Sequence, residues 1–301
     1  MSRGVYIVAN DRVFDQAIAL LSSLRLQDPD IPVVMIPFND ECQRVQAVLE
    51  ESFNVQLFPY LDLIETLTQD IADIFSRDFL KLPNKMRKLA VWFGPLDEFV
   101  YVDTDILLFE SITKTLDFLN QADFICCDFH QKGRGLSDVF SSFVQEQGVF
   151  SEEQLKDVFN SGFWGSRKDV FSYEEMLGLL RQCSVCRDYF DFSSGTTDQP
   201  ILNFLVLTAI KRRLNITKVN PREPGSWGGS SHFQEKRHLL YDGDRRLRYL
   251  HWAGTRMTPG GPYWDVWEYY RFRVVSEPLQ NLKPPQKVGL WRRVQQTLGI
   301  S

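Results

Sequence analysis

Phe99-Val100-Tyr101-Val102-Asp103-Thr104-Asp105 sets four apolar residues directly before two carboxylates that stand one residue apart. A short apolar run rich in β-branched and aromatic side chains reads as a strand buried on both faces. In open sheets built from such strands, ligands collect beyond the carboxyl ends, which is where both acids fall. Two carboxylates there offer hard oxygen ligands to Mg²⁺ or Mn²⁺, and an ion so held can bridge a diphosphate and stabilise its charge as it leaves. A bare acid pair of this spacing also arises by chance as solvated turn residues, so the strand that delivers it is what favours a site.

Upstream of that stretch, residues 4–9 read as a buried strand, followed by Asn10-Asp11 and a helix with Phe14, Ala17, Ile18, Leu21 and Leu24 at a 3.6-residue period. Residues 31–36 and 55–58 read as further strands, 41–50 and 61–75 as helices, and 88–93 as a helix that stops at Gly94-Pro95. Such alternation predicts an α/β fold with an open, mostly parallel sheet flanked by helices. Downstream, residues 122–127 and 159–165 read as strands, 136–147 as a polar excursion, and 170–180 and 199–210 as helices. A turn-rich stretch, PREPGSWGGSS at 221–231, precedes a short strand at 247–250 that leads into His251-Trp252-Ala253-Gly254. The expected organisation is one domain over 1–280 with a small extension at 281–301.

The 301 residues are 44% hydrophobic and 24% charged, a composition that builds a core and excludes a disordered chain. No apolar run is long enough to span a bilayer, and the opening MSRGVYIVANDR lacks the apolar stretch of a signal peptide. The five cysteines, at 42, 126, 127, 183 and 186, are odd in number and include a single CxxC, which argues against a disulfide framework or zinc site. The expected setting is cytoplasmic, and Cys183 and Cys186 are read as idle thiols. The net charge of −5 is uneven: residues 211–301 carry +10 and residues 1–210 carry −15. The basic third is expected to meet an anion, with nucleic acid a poor fit because the chain is acidic overall and shows no binding motif. Residues 283–301 hold four basic and no acidic residues around Trp291. A peripheral contact with the inner face of a membrane and simple packing on the body are equally good readings of that tail.

Three further stretches follow the acid pair in order: Phe159-Asn160-Ser161-Gly162, Asp198-Gln199-Pro200-Ile201-Leu202-Asn203 and His251-Trp252-Ala253-Gly254. With Ala9-Asn10-Asp11 after the first strand and Arg87-Lys88 before the acid pair, residues 4–265 resemble the retaining nucleotide-sugar glycosyltransferases of family 8. This is the glycogenin and bacterial lipopolysaccharide galactosyltransferase type. The resemblance implies a GT-A fold, and a Mn²⁺ or Mg²⁺ ion held by Asp103, Asp105 and His251. It implies donor contacts from Ala9, Asn10, Asp11, Arg87 or Lys88, Thr104, Asp128, Asn160, Gly254 and Arg256. Asp198 would bind donor hydroxyls, and Gln199 would stand beside the anomeric carbon. The implied donor is a nucleotide-sugar, a UDP-sugar first, and the implied acceptor a hydroxyl of a glycan, glycolipid or protein. An amide is a poor nucleophile, so front-face attack is favoured over a covalent intermediate. The chain departs from the family at Met257, where a lysine is usual and Arg256 stands one residue earlier, and at Pro200, where an acid is usual.

Plainer roles compete for the same residues. His251 taken alone reads as a hydrogen-bonded structural histidine, a reading that the upstream acid pair and the downstream Gly254 reverse, while Asn160 reads equally as a turn residue, Asp128 as a helix cap and Asp198 as an N-cap. Trp227, Trp252, Tyr263, Trp264 and Trp267 serve either as a sugar-stacking wall or as core. Other enzyme classes compete too. A haloacid-dehalogenase-like phosphatase also ends a strand in paired acids, but on its first strand, whereas about 100 residues precede Asp103 here. A nucleotidyltransferase would need a glycine-rich phosphate loop after its first strand, where Ala9-Asn10-Asp11-Arg12-Val13 has no glycine. A non-catalytic nucleotide-sugar-binding protein would keep every ligand named above.

Overall fold

The computed structural model describes residues 1–129, 139–192 and 196–279. The proposed tail from 281, with Trp291, lies outside them, as do residues 136–138 of the polar excursion. The strands are β1 (Arg3–Ala9), β2 (Val33–Pro37), β3 (Val55–Leu57), β4 (Glu98–Val102), β5 (Ile106–Leu108), β6 (Phe124–Cys126), β7 (Phe163–Arg167), β8 (Arg213–Asn215), β9 (Gln234–Lys236), β10 (Leu239–Asp242), β11 (Arg245–Arg246) and β12 (Tyr249–His251). The α-helices are α1 (Phe14–Gln27), α2 (Gln43–Phe53), α3 (Leu61–Ile74), α4 (Ile112–Leu116), α5 (Ser142–Glu146), α6 (Glu152–Leu155), α7 (Tyr173–Val185), α8 (Asp198–Ala209), α9 (Ile216–Val219) and α10 (Trp264–Phe272). Residues Pro83–Phe93 form a 3-10 helix where the sequence predicts a shorter helix at 88–93.

A seven-stranded sheet runs in the order β3-β2-β1-β4-β7-β6-β8. Its pairings are parallel except where β7 joins β4 and β6, so β7 alone runs against the rest. The mostly parallel sheet read from the sequence is therefore present, with one reversal inside it. The reversal matters for the site, because it brings the beginning of β7, and not its end, to the carboxyl end of β4.

Side chains alternate across the sheet with period two. Tyr6, Val34, Phe99, Tyr101, Phe124 and Trp164 enter one core with α3, the 3-10 helix, α7 and α8. Val5, Ile7, Val33, Met35, Val100, Val102, Ile125 and Phe163 enter the other with α1, α2 and α4. Burial on both faces is what makes these strands read as continuous apolar runs.

A third core joins Leu107, Phe109, Leu240, Leu250, Trp252, Trp264, Trp267 and Tyr270. It seats α10, the β5/β12 pair and the antiparallel β9–β11 sheet, most of which the sequence pattern does not announce. Their strands are too short for an alternation to register. Arg271, fully buried, clamps α10 to α1 through a 2.6 Å contact with Asp15. Among the described residues no helix is long and apolar enough to cross a membrane.

Candidate active site

Asp103 and Asp105 sit between β4 and β5, and His251 ends β12. The antiparallel register pairs His251 with Ile106, so a residue about 150 positions downstream is carried back to the acid pair. Asp105 Oδ1 lies 3.2 Å from His251 Nε2, and one ligating atom from each of Asp103, Asp105 and His251 falls within 4.8 Å of the other two. Two neighbouring ligands of an octahedral Mg²⁺, each about 2.1 Å from it, lie about 3 Å apart. Two carboxylates and one imidazole are a donor set that suits a divalent metal ion.

Gly162 keeps this cradle open. A Cβ there would stand 2.4 Å from His251 Cε1 and 2.9 Å from Asp103 Oδ2. Its carbonyl accepts the Asp103 N–H at 2.8 Å, and its own N–H donates to Asn160 Oδ1 at 2.9 Å. Asn160 thus supports the turn that leads into β7.

Behind the acids stands Lys88, a buried ammonium. Its Nζ lies 2.7 Å from Asp198 Oδ2, and 3.4 Å from both Asp103 Oδ1 and the Ser161 carbonyl. It also stands 4.7 Å from the Tyr101 ring centroid, a cation–π contact. Burial works against its charge, but Asp103 and Asp198 on either side hold it above the usual lysine value. The Tyr101 hydroxyl donates to Asp103 Oδ1 at 2.5 Å. Burial and that carboxylate push the phenol well above its usual range, so it stays a donor. The Tyr101 ring itself is stacked on Trp164 at 5.4 Å.

Burial would raise the Asp198 carboxyl, yet Lys88, Lys85 and Ser161 keep it below the ordinary carboxylate value. The same opposition acts at the metal cradle. Asp105 is lowered by His251 against its burial, and His251 is raised by Asp105 and Asp103 against its own.

Asp198 opens α8 and sits just after Thr197, which takes the N-cap position, so its carboxylate turns inward to Lys88 and to the Ser161 hydroxyl at 2.8 Å. Pro200 fits this first turn, where a missing N–H costs nothing. Gln199 Oε1 accepts the Ser161 N–H at 3.2 Å. Asn203, one turn later and fully buried, accepts the Phe159 N–H and donates to the carbonyls of Phe159 and Gln199. Asp128, just past β6, accepts the Asn160 N–H at 3.0 Å, while its carbonyl is held by Asn215 and Thr217.

The other expected donor contacts are dispersed. Asn10 caps the turn after β1 by accepting the Arg12 N–H, and donates to Asn39. Asp11 accepts the Val45 N–H at 2.8 Å, which ties the loop after Ala9 to α2. Of the two basic residues offered as alternatives, Lys88 meets the acids. Arg87 is bound to the Pro37 carbonyl, Thr68 and Glu65. Thr104 lies between the two acids, and Gly254 takes a left-handed φ of +66° that favours glycine. Arg256 and Gly254 are exposed, and Met257 is half-buried.

Tyr101, Ser161, Gly162 and Asn203 belong to the site by contact, though the sequence reading assigns them no role. Tyr101 precedes Asp103 by two, the strand period, and Asn203 follows Gln199 by four, the helix period, so both were within reach of periodicity. Ser161 and Gly162 become legible only once β7 is known to run backward.

No family model matches the sequence, and no curated protein matches it. Solved structures do match its fold. The apo WbbM bifunctional glycosyltransferase superposes with a TM-score of 0.63 at 15% identity, over 91% of this chain and 50% of WbbM. The galactosyltransferase LgtC, solved in complex with donor and acceptor sugar analogues, gives a TM-score of 0.58 at 11% identity, over 91% of this chain and 97% of LgtC. Mouse xyloside xylosyltransferase 1 in its apo form gives 0.51 at 12% identity, over 71% of this chain and 85% of that enzyme. This chain therefore spans half of WbbM and nearly all of LgtC. Identities of this size speak to architecture, and the architecture of this chain is the GT-A fold of these glycosyltransferases.

Proposed function

We propose that the chain is a metal-dependent glycosyltransferase that moves a sugar from a nucleotide-sugar, a UDP-sugar, to an acceptor hydroxyl of a glycan, glycolipid or protein, with retention at the anomeric carbon. One observation carries this reading. Three ligating side chains from two distant segments converge, and Lys88 joins them to a second cluster, Asp198 with Ser161 and Gln199, at one end of the sheet. A place for a divalent ion beside a carboxylate and an amide suits a diphosphate-linked sugar. The fold shared with LgtC and WbbM supports the same class.

Asp103, Asp105 and His251 would hold Mn²⁺ or Mg²⁺, which supplies positive charge against a leaving diphosphate. Asp198 Oδ2 is engaged by Lys88 and Ser161, while Oδ1 stands 3.8 Å from Lys85, beyond hydrogen-bond range, and offers an acceptor to a donor hydroxyl. Gln199, fixed through Ser161, stands by the carbon that gains oxocarbenium character. Arg256 supplies a fork of donors to phosphate where a lysine would supply a point charge. The acceptor oxygen bonds to C1 on the face from which the phosphate oxygen departs. Its proton passes to that phosphate oxygen, and the products are the glycoside and the nucleoside diphosphate.

Thermal unfolding with UDP, GDP or no nucleotide, each with Mn²⁺ or EDTA, tests the reading. A ligand at 100 times its Kd adds about 2.7 kcal/mol of stability. A Mn²⁺-dependent rise with UDP that Asp105→Asn abolishes is the expected result. No rise with either nucleotide would refute it.

A further inference from the structure

Trp227, Trp252, Tyr263, Trp264 and Trp267 read from the sequence as either a sugar-stacking wall or core, and the structure separates them. Trp252, Trp264 and Trp267 are buried in the third core, and the Tyr263 hydroxyl is spent on the Ser230 carbonyl. Trp227 is different, with 47% of its surface exposed. It is nevertheless held firmly. Its indole Nε1–H donates to the Ala253 carbonyl at 3.0 Å. Its six-membered ring lies against Gly229, where a Cβ would stand 2.3 Å from Cζ2. The backbone on either side is zipped to the metal-cradle histidine: the His251 N–H donates to the Ser226 carbonyl and the Gly228 N–H to the His251 carbonyl, each at 2.7 Å.

An exposed indole sacrifices a large apolar surface to water, and a glycine-flanked loop that pins it in one orientation removes the entropy cost of presenting it. The loop also has a direction. It leaves β8 and α9, whose Asn215 and Thr217 hold the Asp128 carbonyl, and by Trp227 it has reached His251. In the sheet order β1 and β8 lie on opposite sides of β4. The loop after β1, with Asn10 and Asp11, is therefore on the far side of the acid pair from the strand that feeds this loop.

We infer that Trp227 is a stacking platform for the sugar ring of the acceptor, which makes the acceptor a saccharide. The inference rests on the glycosyltransferase reading above and narrows it, since the same site could otherwise serve a lipid or protein hydroxyl. The negative face of an indole attracts the polarised C–H groups on the flat face of a pyranose, while the sugar hydroxyls at the ring edge keep their water. The Ala253 contact fixes the ring beside the loop that carries Gly254 and Arg256, two residues past His251.

The test uses the full chain with Mg²⁺ and UDP, and saturation-transfer difference NMR with methyl β-glucoside, methyl β-galactoside and methyl β-N-acetylglucosaminide as probes. Wild type, Trp227→Ala and Trp227→Phe are compared, with the UDP-dependent thermal shift recorded for each. The expected result is saturation of the C–H protons of at least one glycoside by wild type. Trp227→Ala should weaken that glycoside about tenfold, and Trp227→Phe only about threefold. The UDP shift should be the same in all three. Equal glycoside binding by wild type and Trp227→Ala, or none by wild type, would overturn the inference. Loss of the UDP shift in Trp227→Ala alone would overturn it too, by giving the indole to the nucleotide. Absence of a shift with both UDP and GDP in wild type would instead defeat the glycosyltransferase reading itself.

Discussion

Lys88 Nζ lies 2.7 Å from Asp198 Oδ2, and both side chains are buried. This pair joins two stretches 110 residues apart, and through Asp103 it joins the metal cradle to the start of α8. Its strength comes from mutual need. Each charge is carried into the interior only because the other is there, and removing one partner of such a pair costs about 3 kcal/mol or more. Lys88→Met should therefore lower the urea-unfolding free energy by about 3 kcal/mol. An unchanged midpoint would show that Asp198 does not depend on it.

The same pair sets part of the acid limb of stability. Asp198 is held below its ordinary value against its burial, chiefly by Lys88. A carboxyl with a depressed folded pKa contributes stability that is full above its unfolded value, about 3.9. That contribution is lost as pH falls through the folded value. Asp198→Asn removes the titrating group, so its stability should decline less steeply than wild type below about pH 4. Parallel declines in urea titrations at pH 6, 4 and 3 would contradict the assignment.

Tyr101 tests whether the orientation of Asp103 matters. Tyr101→Phe keeps the ring stacked on Trp164 and loses only the hydroxyl that donates to Asp103 Oδ1. Partners of a metal ligand typically change metal affinity 10- to 100-fold, so Mn²⁺ should bind about tenfold more weakly. Calorimetric titration of Mn²⁺ in the presence of UDP reads this directly. An unchanged Mn²⁺ affinity would reduce Tyr101 to a core residue.

Gly162→Ala attacks the cradle from its floor. The added methyl would stand 2.4 Å from His251 Cε1, and the ring it meets is buried and backed by the β5/β12 pair. The tip of the imidazole and the Asp103 carboxylate must give way, which moves both away from their present places in the cradle, so Mn²⁺ affinity should drop about tenfold. Circular dichroism should remain that of the wild type, because the collision is local. Retention of wild-type Mn²⁺ binding would show that His251 is not a ligand.

The acid pair, its strand and the first three strands were legible because a buried parallel strand must be apolar along its length. Glu98–Val102 is buried along its whole length and runs straight into Asp103. The convergence of His251 was not legible in this way. It depends on β5, a three-residue strand whose Ile106-Leu107-Leu108 carries no period, and on its antiparallel register with β12. Arg87 and Lys88 illustrate the same limit. Adjacent residues in the 3-10 helix point to different neighbours, and only the packed structure sends Arg87 to Pro37 and Lys88 to the acids. Expectations for Asp198 divided between helix cap and site. The structure gives the N-cap position to Thr197 and frees the Asp198 carboxylate for Lys88.

Asn203 offers the sharpest separation of a positioning role from a structural one. Its amide accepts the Phe159 N–H at 3.0 Å and donates to the Phe159 carbonyl at 2.8 Å, which fixes the segment carrying Asn160, Ser161 and Gly162 to α8. It also donates to the Gln199 carbonyl at 3.0 Å. Asn203→Ala leaves the Phe159 N–H without this partner in a buried setting and should cost about 2 kcal/mol. Asn203→Asp keeps the acceptor for that N–H but loses both donated bonds and places an unpaired charge in the core. It should be the less stable of the two variants. If Asn203 positions the turn, Asn203→Ala should weaken Mn²⁺ binding in the folded fraction, because Gly162 holds Asp103 through its carbonyl. Mn²⁺ titration at a temperature well below the unfolding midpoint distinguishes the two roles. Lower stability with wild-type Mn²⁺ affinity would make Asn203 purely structural.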